Sequence, residues 1–154
     1  MLPSTARPTI SQGRNRTAPM LLSAQMAVDP TPLLVYCLTR DREFAADLQR
    51  ELTGALAFFY NDAARLHQAV VLRGPDLAVV DAGAVREEYG DAGLGPVMAF
   101  LRERSPAARV AVRPKAGSEW LIQVEAGPGA QLLPADRAGC VAEVAALCQV
   151  ARAL

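Results

Sequence analysis

Asp81 has the residue type and the position that best suit chemistry in this chain. It follows an apolar run at residues 77–80, which comes after the helix-breaking pair Gly74 and Pro75. The length and the valines of this run are typical of a strand buried on both faces of a parallel sheet. An acid at the carboxyl end of such a strand faces the crevice where open α/β sheets bind ligands. The sequence therefore indicates one candidate site at the end of this strand.

Other residue types that often do chemistry are few. His67 lies in the middle of a predicted helix without a second histidine, so we expect neither a metal nor a cobalamin role. The three cysteines are too few and too odd in number for a disulfide framework, which fits a reducing cytoplasm. We expect Cys140 and Cys148 to fill core space. Cys37 lies near the functional end of the sheet, which leaves a redox role open, although nothing in the sequence activates its thiol.

Composition bounds the class of protein. The 154 residues are 51% hydrophobic, which suggests one domain with a real core. Lysine plus arginine equals aspartate plus glutamate at 16 each, so we expect no nucleic acid as a partner. We also expect no membrane partner, because no apolar run approaches the ~20 residues of a membrane span.

The first 31 residues differ from the rest in composition. They are rich in Pro, Ser, Thr and Gln, and we detect no helical or strand period in them. The apolar segment at residues 19–22 is much shorter than the ~7–15 residues that a signal peptide needs. We therefore expect a disordered N-terminal tail at 1–31 and a folded domain at 32–154.

The folded region alternates strands and helices. Asp41 or Thr39 is suited to cap the first helix, Asp62 the second and Asp136 the last. Residues 82–95, which contain four glycines, are predicted to form a long loop. The alternation implies right-handed crossovers, a parallel sheet and helices on both of its faces. The five predicted strands are residues 33–38, 55–60, 77–80, 109–113 and 131–133, and the five predicted helices start near residues 41, 62, 96, 118 and 136.

Three segments resemble bacterial response-regulator receiver domains of the chemotaxis type. Residues 75–81 (PDLAVVD) resemble their third strand, residues 125–133 (EAGPGAQLL) the turn into their fifth strand, and residues 101–106 (LRERSP) the end of their third helix. The resemblance covers about residues 33–154. It implies a three-layer α/β flavodoxin-like fold, with a five-stranded parallel sheet in the order 2-1-3-4-5 and five helices. It also implies that Asp81 stands at the phosphoacceptor position.

The neighbouring site positions depart from the family pattern. Receivers hold Mg²⁺ with two acids at the end of the first strand, where this chain has Cys37 and Leu38. Receivers have Thr or Ser at the end of the fourth strand, where this chain has Arg113. They have Lys-Pro after the fifth strand, where this chain has Pro134 and the residue that follows it. Their aromatic switch residue in the fifth strand is replaced by Gln131. Aspartyl phosphorylation needs a metal, and Mg²⁺ needs hard oxygen ligands. We therefore expect a pseudo-receiver without phosphorylation, metal or other cofactor, and not an enzyme.

Two contacts follow from the resemblance. Arg113 and Asp81 would end adjacent strands, so we expect them to form an ion pair in which the guanidinium replaces metal and lysine. Receivers commonly bind proteins through their fourth and fifth helices and the strand between them. Here that face would contain Trp120, Gln131, Cys140 and Val144, and its partner would be a protein of a signalling pathway. We expect a monomer or a weak homodimer.

Two other functions remain open at this point. The first is a working single-domain receiver, phosphorylated on Asp81 in a two-component phosphorelay. The second is a flavodoxin-like ligand-binding domain. A flavin phosphate loop would need several hydroxyl groups after the first strand, and residues 38–41 supply only Thr39.

Overall fold

A computed structural model describes residues 31–153, and the compact unit Pro32–Leu154 contains all of its helices and strands. The predicted tail lies outside the described residues, apart from Thr31. The strands are β1 (Leu33–Leu38), β2 (Ala55–Tyr60), β3 (Leu77–Asp81), β4 (Arg109–Arg113) and β5 (Ala130–Leu132). The helices are α1 (Arg42–Glu51), α2 (Ala63–Leu72), α3 (Ala82–Tyr89), α4 (Leu94–Arg104), α5 (Glu119–Ala126) and α6 (Arg137–Ala153).

The five strands form one parallel sheet in the order β2-β1-β3-β4-β5. This order is 2-1-3-4-5 along the chain, so the predicted flavodoxin-like α/β fold is confirmed. In the register of β3 and β4, Asp81 lies opposite Arg113. Because all strands are parallel, their carboxyl ends meet at one edge of the sheet, where this pair lies.

Helices cover both faces of the sheet. Leu77 and Val79 of β3 face the core beneath α1 and α6, whereas Ala78 and Val80 face the core beneath α2 to α5. This alternation is the period of two that a strand imposes on its side chains. Both faces of β3 are apolar because both are covered, which explains its continuous hydrophobic run.

The structure has a sixth helix that the sequence analysis did not predict. Residues 82–89 were expected in a loop, but they form α3, whose N-cap is Asp81. Ala82, Ala84 and Val85 of this helix are buried, and the helix ends at Gly90, where φ is +82°. Gly90 ends α3, Gly93 precedes α4 and Gly95 is the second residue of α4, and together these glycines made the whole segment resemble a loop in composition.

Smaller differences concern the ends of elements. The fourth helix along the chain, α4, begins at Leu94, and Pro96 is its third residue instead of its first. Strand β5 is shifted one residue toward the N-terminus of its predicted range. Among the helices of residues 31–153, none is long and apolar enough to cross a membrane.

Candidate functional site

Asp81 is held by neighbouring donors at the carboxyl end of β3. Its Oδ2 accepts a hydrogen bond from the Thr39 hydroxyl at 2.8 Å, and its Oδ1 accepts one from the Gly83 amide at 3.2 Å. The residue is 9% exposed. Both carboxylate oxygens are therefore already bonded within the protein.

Arg113 crosses the carboxyl edge of the sheet and contacts two acids. Its Nη1 lies 3.6 Å from Oδ2 of Asp81 and 3.0 Å from Oδ2 of Asp41. Its Nε donates to the carbonyl of Ala135 at 3.1 Å, and its guanidinium carbon lies 4.5 Å from the centre of the Phe44 ring. The expected contact between Arg113 and Asp81 is confirmed, but the shorter contact is to Asp41.

Asp41 has two roles, of which the sequence analysis identified one. Its Oδ1 accepts a hydrogen bond from the Phe44 amide at 3.1 Å and so caps α1, as predicted. Its Oδ2 accepts from Arg113, which is 72 residues away along the chain. Only the fold brings these two residues together, because α1 begins at the same sheet edge where β4 ends. An acidic N-cap in the first βα loop was the signal that could have suggested it.

The two carboxylates differ in their electrostatics. Burial raises the pKa of Asp81 above its ordinary value, although the bond from Thr39 and the charge of Arg113 partly offset this rise. Burial also acts to raise the pKa of Asp41, but the bonds from the Phe44 amide and Arg113 outweigh it and lower that pKa. Asp41 is therefore the more stable anion of the two, and Asp81 is the acid that takes up a proton first.

We expect Asp81 to make the folded state less stable as the pH rises. An acid whose pKa is raised by folding binds more protons in the folded state than in the unfolded state. Its stabilising contribution to folding is therefore full below its ordinary pKa of 3.8 and is lost as the pH rises through its pKa in the folded protein. Asp81→Asn lacks this titration. Urea unfolding at a series of pH values measures the free energy of unfolding of both proteins. The difference between the unsubstituted protein and Asp81→Asn should favour the unsubstituted protein more at acidic than at neutral pH. The opposite trend would show that folding lowers the pKa.

The two residues at the expected metal positions are buried. Cys37 is 1% exposed and Leu38 is fully buried, and neither side chain carries an oxygen atom that could bind Mg²⁺. Burial, together with the charge of Asp81, raises the pKa of the Cys37 thiol well above its ordinary value. Burial likewise raises the pKa of Cys140 to about 12. These environments suppress the thiolate form that redox chemistry requires.

We predict that Mg²⁺ does not bind tightly at this site. Within residues 31–153, no group of three or more histidine, cysteine or acidic residues is placed to hold a metal ion. Calorimetry should show no saturable heat at low-millimolar Mg²⁺, because Asp41 and Asp81 already share Arg113. The control is Asp81→Asn, which should give the same flat titration. A stoichiometric isotherm that this substitution abolishes would contradict the prediction.

An open cavity of about 670 Å³ lies above Asp81 at the carboxyl edge. Its charged lining is mixed in sign: Asp41, Asp81, Glu87, Asp91, Arg86, Arg113 and Lys115. Pro134 is exposed, and the loop after β5 reaches the cavity through the next residue, Ala135. The backbone carbonyl of Ala135 accepts a hydrogen bond from Arg113 at this cavity.

The predicted interaction face is only partly at the surface. Trp120 is 70% exposed on α5, and the exposed Gln131 donates to Glu143 at 3.2 Å. Cys140 and Val144 are fully buried, so their assignment to an exposed face is wrong, whereas the expectation that Cys140 fills core space is confirmed. Their side chains belong to the apolar stripe of α6 that packs on the sheet, which the helical period alone does not distinguish from an exposed stripe.

Comparison with known proteins does not identify a family. Neither a scan with protein-family models nor a search of curated proteins finds a match to this chain.

Proposed function

We propose that this chain is a pseudo-receiver: a signalling domain that binds another protein and is not phosphorylated on Asp81. The observation that carries the proposal is the position of Arg113. Its guanidinium contacts the carboxylates of Asp81 and Asp41 together, at 3.6 and 3.0 Å. The guanidinium neutralises the negative charge of the two carboxylates, and it occupies the position between them where a metal ion would bind.

Arg113 would be costly to displace. Its side chain is 13% exposed, bonded to the Ala135 carbonyl and packed over Phe44. A metal ion that replaced it would break these contacts and leave a buried cation without its partners. The protein therefore favours the arginine-filled state, in which phosphoryl transfer lacks the metal it depends on.

A working receiver is the second candidate. It is favoured by the fact that Asp81 lines an open cavity and that a second carboxylate, Asp41, lines the same cavity. If Arg113 moved away, these two acids would be the available ligands for Mg²⁺. At the site itself, the two candidates differ in whether Arg113 moves away from the two carboxylates.

We assign partner binding to the exposed side of α5. Trp120 and Val124 are 70% and 72% exposed and lie four residues apart, on the same stripe of the helix. Aromatic side chains, tryptophan among them, are enriched at protein interfaces. We propose a cytoplasmic signalling protein as the partner.

Proximity labelling in the host cell tests this function. We expect the unsubstituted protein and Asp81→Asn to label the same proteins, because binding does not need a phosphate. Trp120→Asp should lose those proteins, whereas Tyr89→Asp is a control at another exposed aromatic residue, 51% exposed on α3. The proposal fails if Asp81→Asn changes the set of labelled proteins or if Trp120→Asp leaves it intact.

A further inference from the structure

The outer edge of β2 has features of a pairing surface. In the described part of the chain, β2 pairs with β1 alone and lies at one end of the sheet. Its six residues, ALAFFY, include no charge, proline or glycine. Edge strands in soluble proteins usually carry such residues, which prevent them from pairing with another chain.

The backbone of β2 has free groups along this edge. The amide of Thr39 donates to the carbonyl of Tyr60 at 2.9 Å, so Tyr60 points its backbone groups toward β1. Backbone direction alternates along a strand, so Phe58 also points toward β1 while Ala57 and Phe59 point away from it. These two residues therefore present N–H and C=O groups at the open edge.

Apolar side chains accompany the open edge. Leu56 and Phe58 of β2 are 49% and 47% exposed, and Leu72 of α2, which lines a groove together with Tyr60 of β2, is 86% exposed. These are three of the eight large apolar side chains that the described residues expose. We call these three residues, with the open edge of β2, the β2 edge patch. Apolar groups gathered in this way mark an interaction site.

A groove runs beside the patch between β2 and α2. Its volume is about 890 Å³, and Tyr60 and Asp62 line it together with Leu72. Asp62 and Arg65, which both line the groove, pair with each other at 3.5 Å. The charges of this pair cancel, so the pair does not make the groove repel an identical groove on a second copy.

We propose that a second copy of this chain covers the β2 edge patch, with the two β2 strands antiparallel about a two-fold axis at Phe58. Ala57 of each copy then lies opposite Phe59 of the other, and their outward backbone groups exchange hydrogen bonds. Phe58 lies opposite Phe58 of the second copy as a closely spaced aromatic pair, and Leu56 opposite Tyr60. The two five-stranded sheets become one sheet of ten strands.

The groove and Leu72 complement each other in this arrangement. Helix α2 runs opposite to the strands, so Leu72 lies toward the start of β2 and Asp62 lies just beyond its end. The antiparallel pairing brings Leu72 of each copy to the Tyr60 end of the groove of the other. A surface that carries both a projection and its groove is suited to a two-fold interface. The face of α5 stays free, so the dimer does not depend on the proposed function.

Sedimentation velocity over a range of concentrations tests the dimer. We expect the full chain to dimerise at micromolar concentration, and Phe58→Lys and Leu72→Lys each to raise the dissociation constant at least about tenfold, because each places like charges at the interface. Val124→Lys, at an exposed position on α5, is the matched control and should leave the constant unchanged. A chain that stays monomeric, or a dimer that only Val124→Lys weakens, would overturn the proposal.

Disulfide trapping tests the register. The three native cysteines are buried, so a cysteine introduced at an exposed position is the accessible thiol. Phe58→Cys should give a covalent dimer under mild oxidation, because the two positions face each other across the axis. Val124→Cys should not. If Phe58→Cys stays monomeric while Val124→Cys crosslinks, the interface lies elsewhere and the proposal is wrong.

Amide exchange separates a second copy from other occupants of the edge. We expect the amides of Ala57 and Phe59 to become more protected as the protein concentration rises. Protection that is the same at all concentrations would mean that another segment of the same chain covers the edge. Absence of protection would mean that the edge stays open. Either of these two results overturns the proposal.

Discussion

Replacing Arg113 with glutamine should lower the free energy of unfolding by about 2–4 kcal/mol. The substitution removes the cation between Asp81 and Asp41, the bond to the Ala135 carbonyl and the packing over Phe44. Asp81, whose side chain is 12% exposed, would be left without a charged partner. We place the loss below the upper limit for buried pairs because the Asp41 side chain is 34% exposed and is partly screened by water. Chemical denaturation at neutral pH measures the effect.

A double-mutant cycle separates the contribution of each carboxylate. Asp41→Asn and Asp81→Asn, each combined with Arg113→Gln, should show coupling energies of about 1 kcal/mol. Arg137→Gln is the control, because Arg137 also pairs with two acids, Glu43 and Asp47, but its side chain is 43% exposed. That substitution should cost less than about 1 kcal/mol. Equal losses for the two arginines, with no coupling at Arg113, would contradict the account.

Replacing Phe44 with alanine should cost about 3–5 kcal/mol of stability. Phe44 is fully buried, lies one turn into α1 and packs beneath the guanidinium of Arg113. Alanine would leave a cavity between α1 and the sheet and would remove the surface that supports Arg113. Thermal and urea unfolding of Phe44→Ala and Phe44→Leu measure the loss. Leucine keeps most of the volume and should cost less than about 1.5 kcal/mol.

The control for Phe44 is an exposed aromatic residue. Trp120→Ala removes a larger ring, but Trp120 is 70% exposed, so we expect a loss below about 1 kcal/mol. Phe44→Leu should also weaken the coupling between Arg113 and Asp41, because the ring that positions the guanidinium is gone. If Phe44→Ala proves as mild as Trp120→Ala, then α1 does not hold the site together.

The fold could be predicted because β1 and the run before Asp81 in β3 are continuous apolar segments that are buried on both faces of the sheet. Strands β1, β2 and β4 have the predicted bounds, and Asp41, Asp62 and Asp136 cap helices as expected. Burial on both faces makes strands such as β1 and β3 recognisable from the sequence alone. Helix α3 could not be predicted in the same way. This helix is short, and it contains Gly83 and ends at Gly90. These glycines are typical of a loop, so the buried positions Ala84 and Val85 did not stand out as a helical pattern.

The site was predictable only as far as strand register determines it. Asp81 and Arg113 end neighbouring strands, so their proximity follows from the strand order. The contact of Asp41 with Arg113 depends on where α1 begins relative to the end of β4. The hydrogen bond from the Thr39 hydroxyl to Asp81 depends on the path of the loop between β1 and α1. Neither is encoded in local spacing. Val144 was wrongly placed on the exposed face, and Cys140 was assigned both to that face and to the core, because an apolar stripe on a helix does not by itself show what covers it.

Intact mass spectrometry after incubation with Mg²⁺ and acetyl phosphate tests the central claim most directly. A working receiver treated in parallel shows that the reagents are active, and Asp81→Asn reports any modification at other positions. With Arg113 between Asp81 and Asp41, we predict no phosphoryl adduct on this chain beyond that seen on Asp81→Asn. A near-stoichiometric, Mg²⁺-dependent adduct that Asp81→Asn abolishes would contradict the account and identify a functional receiver.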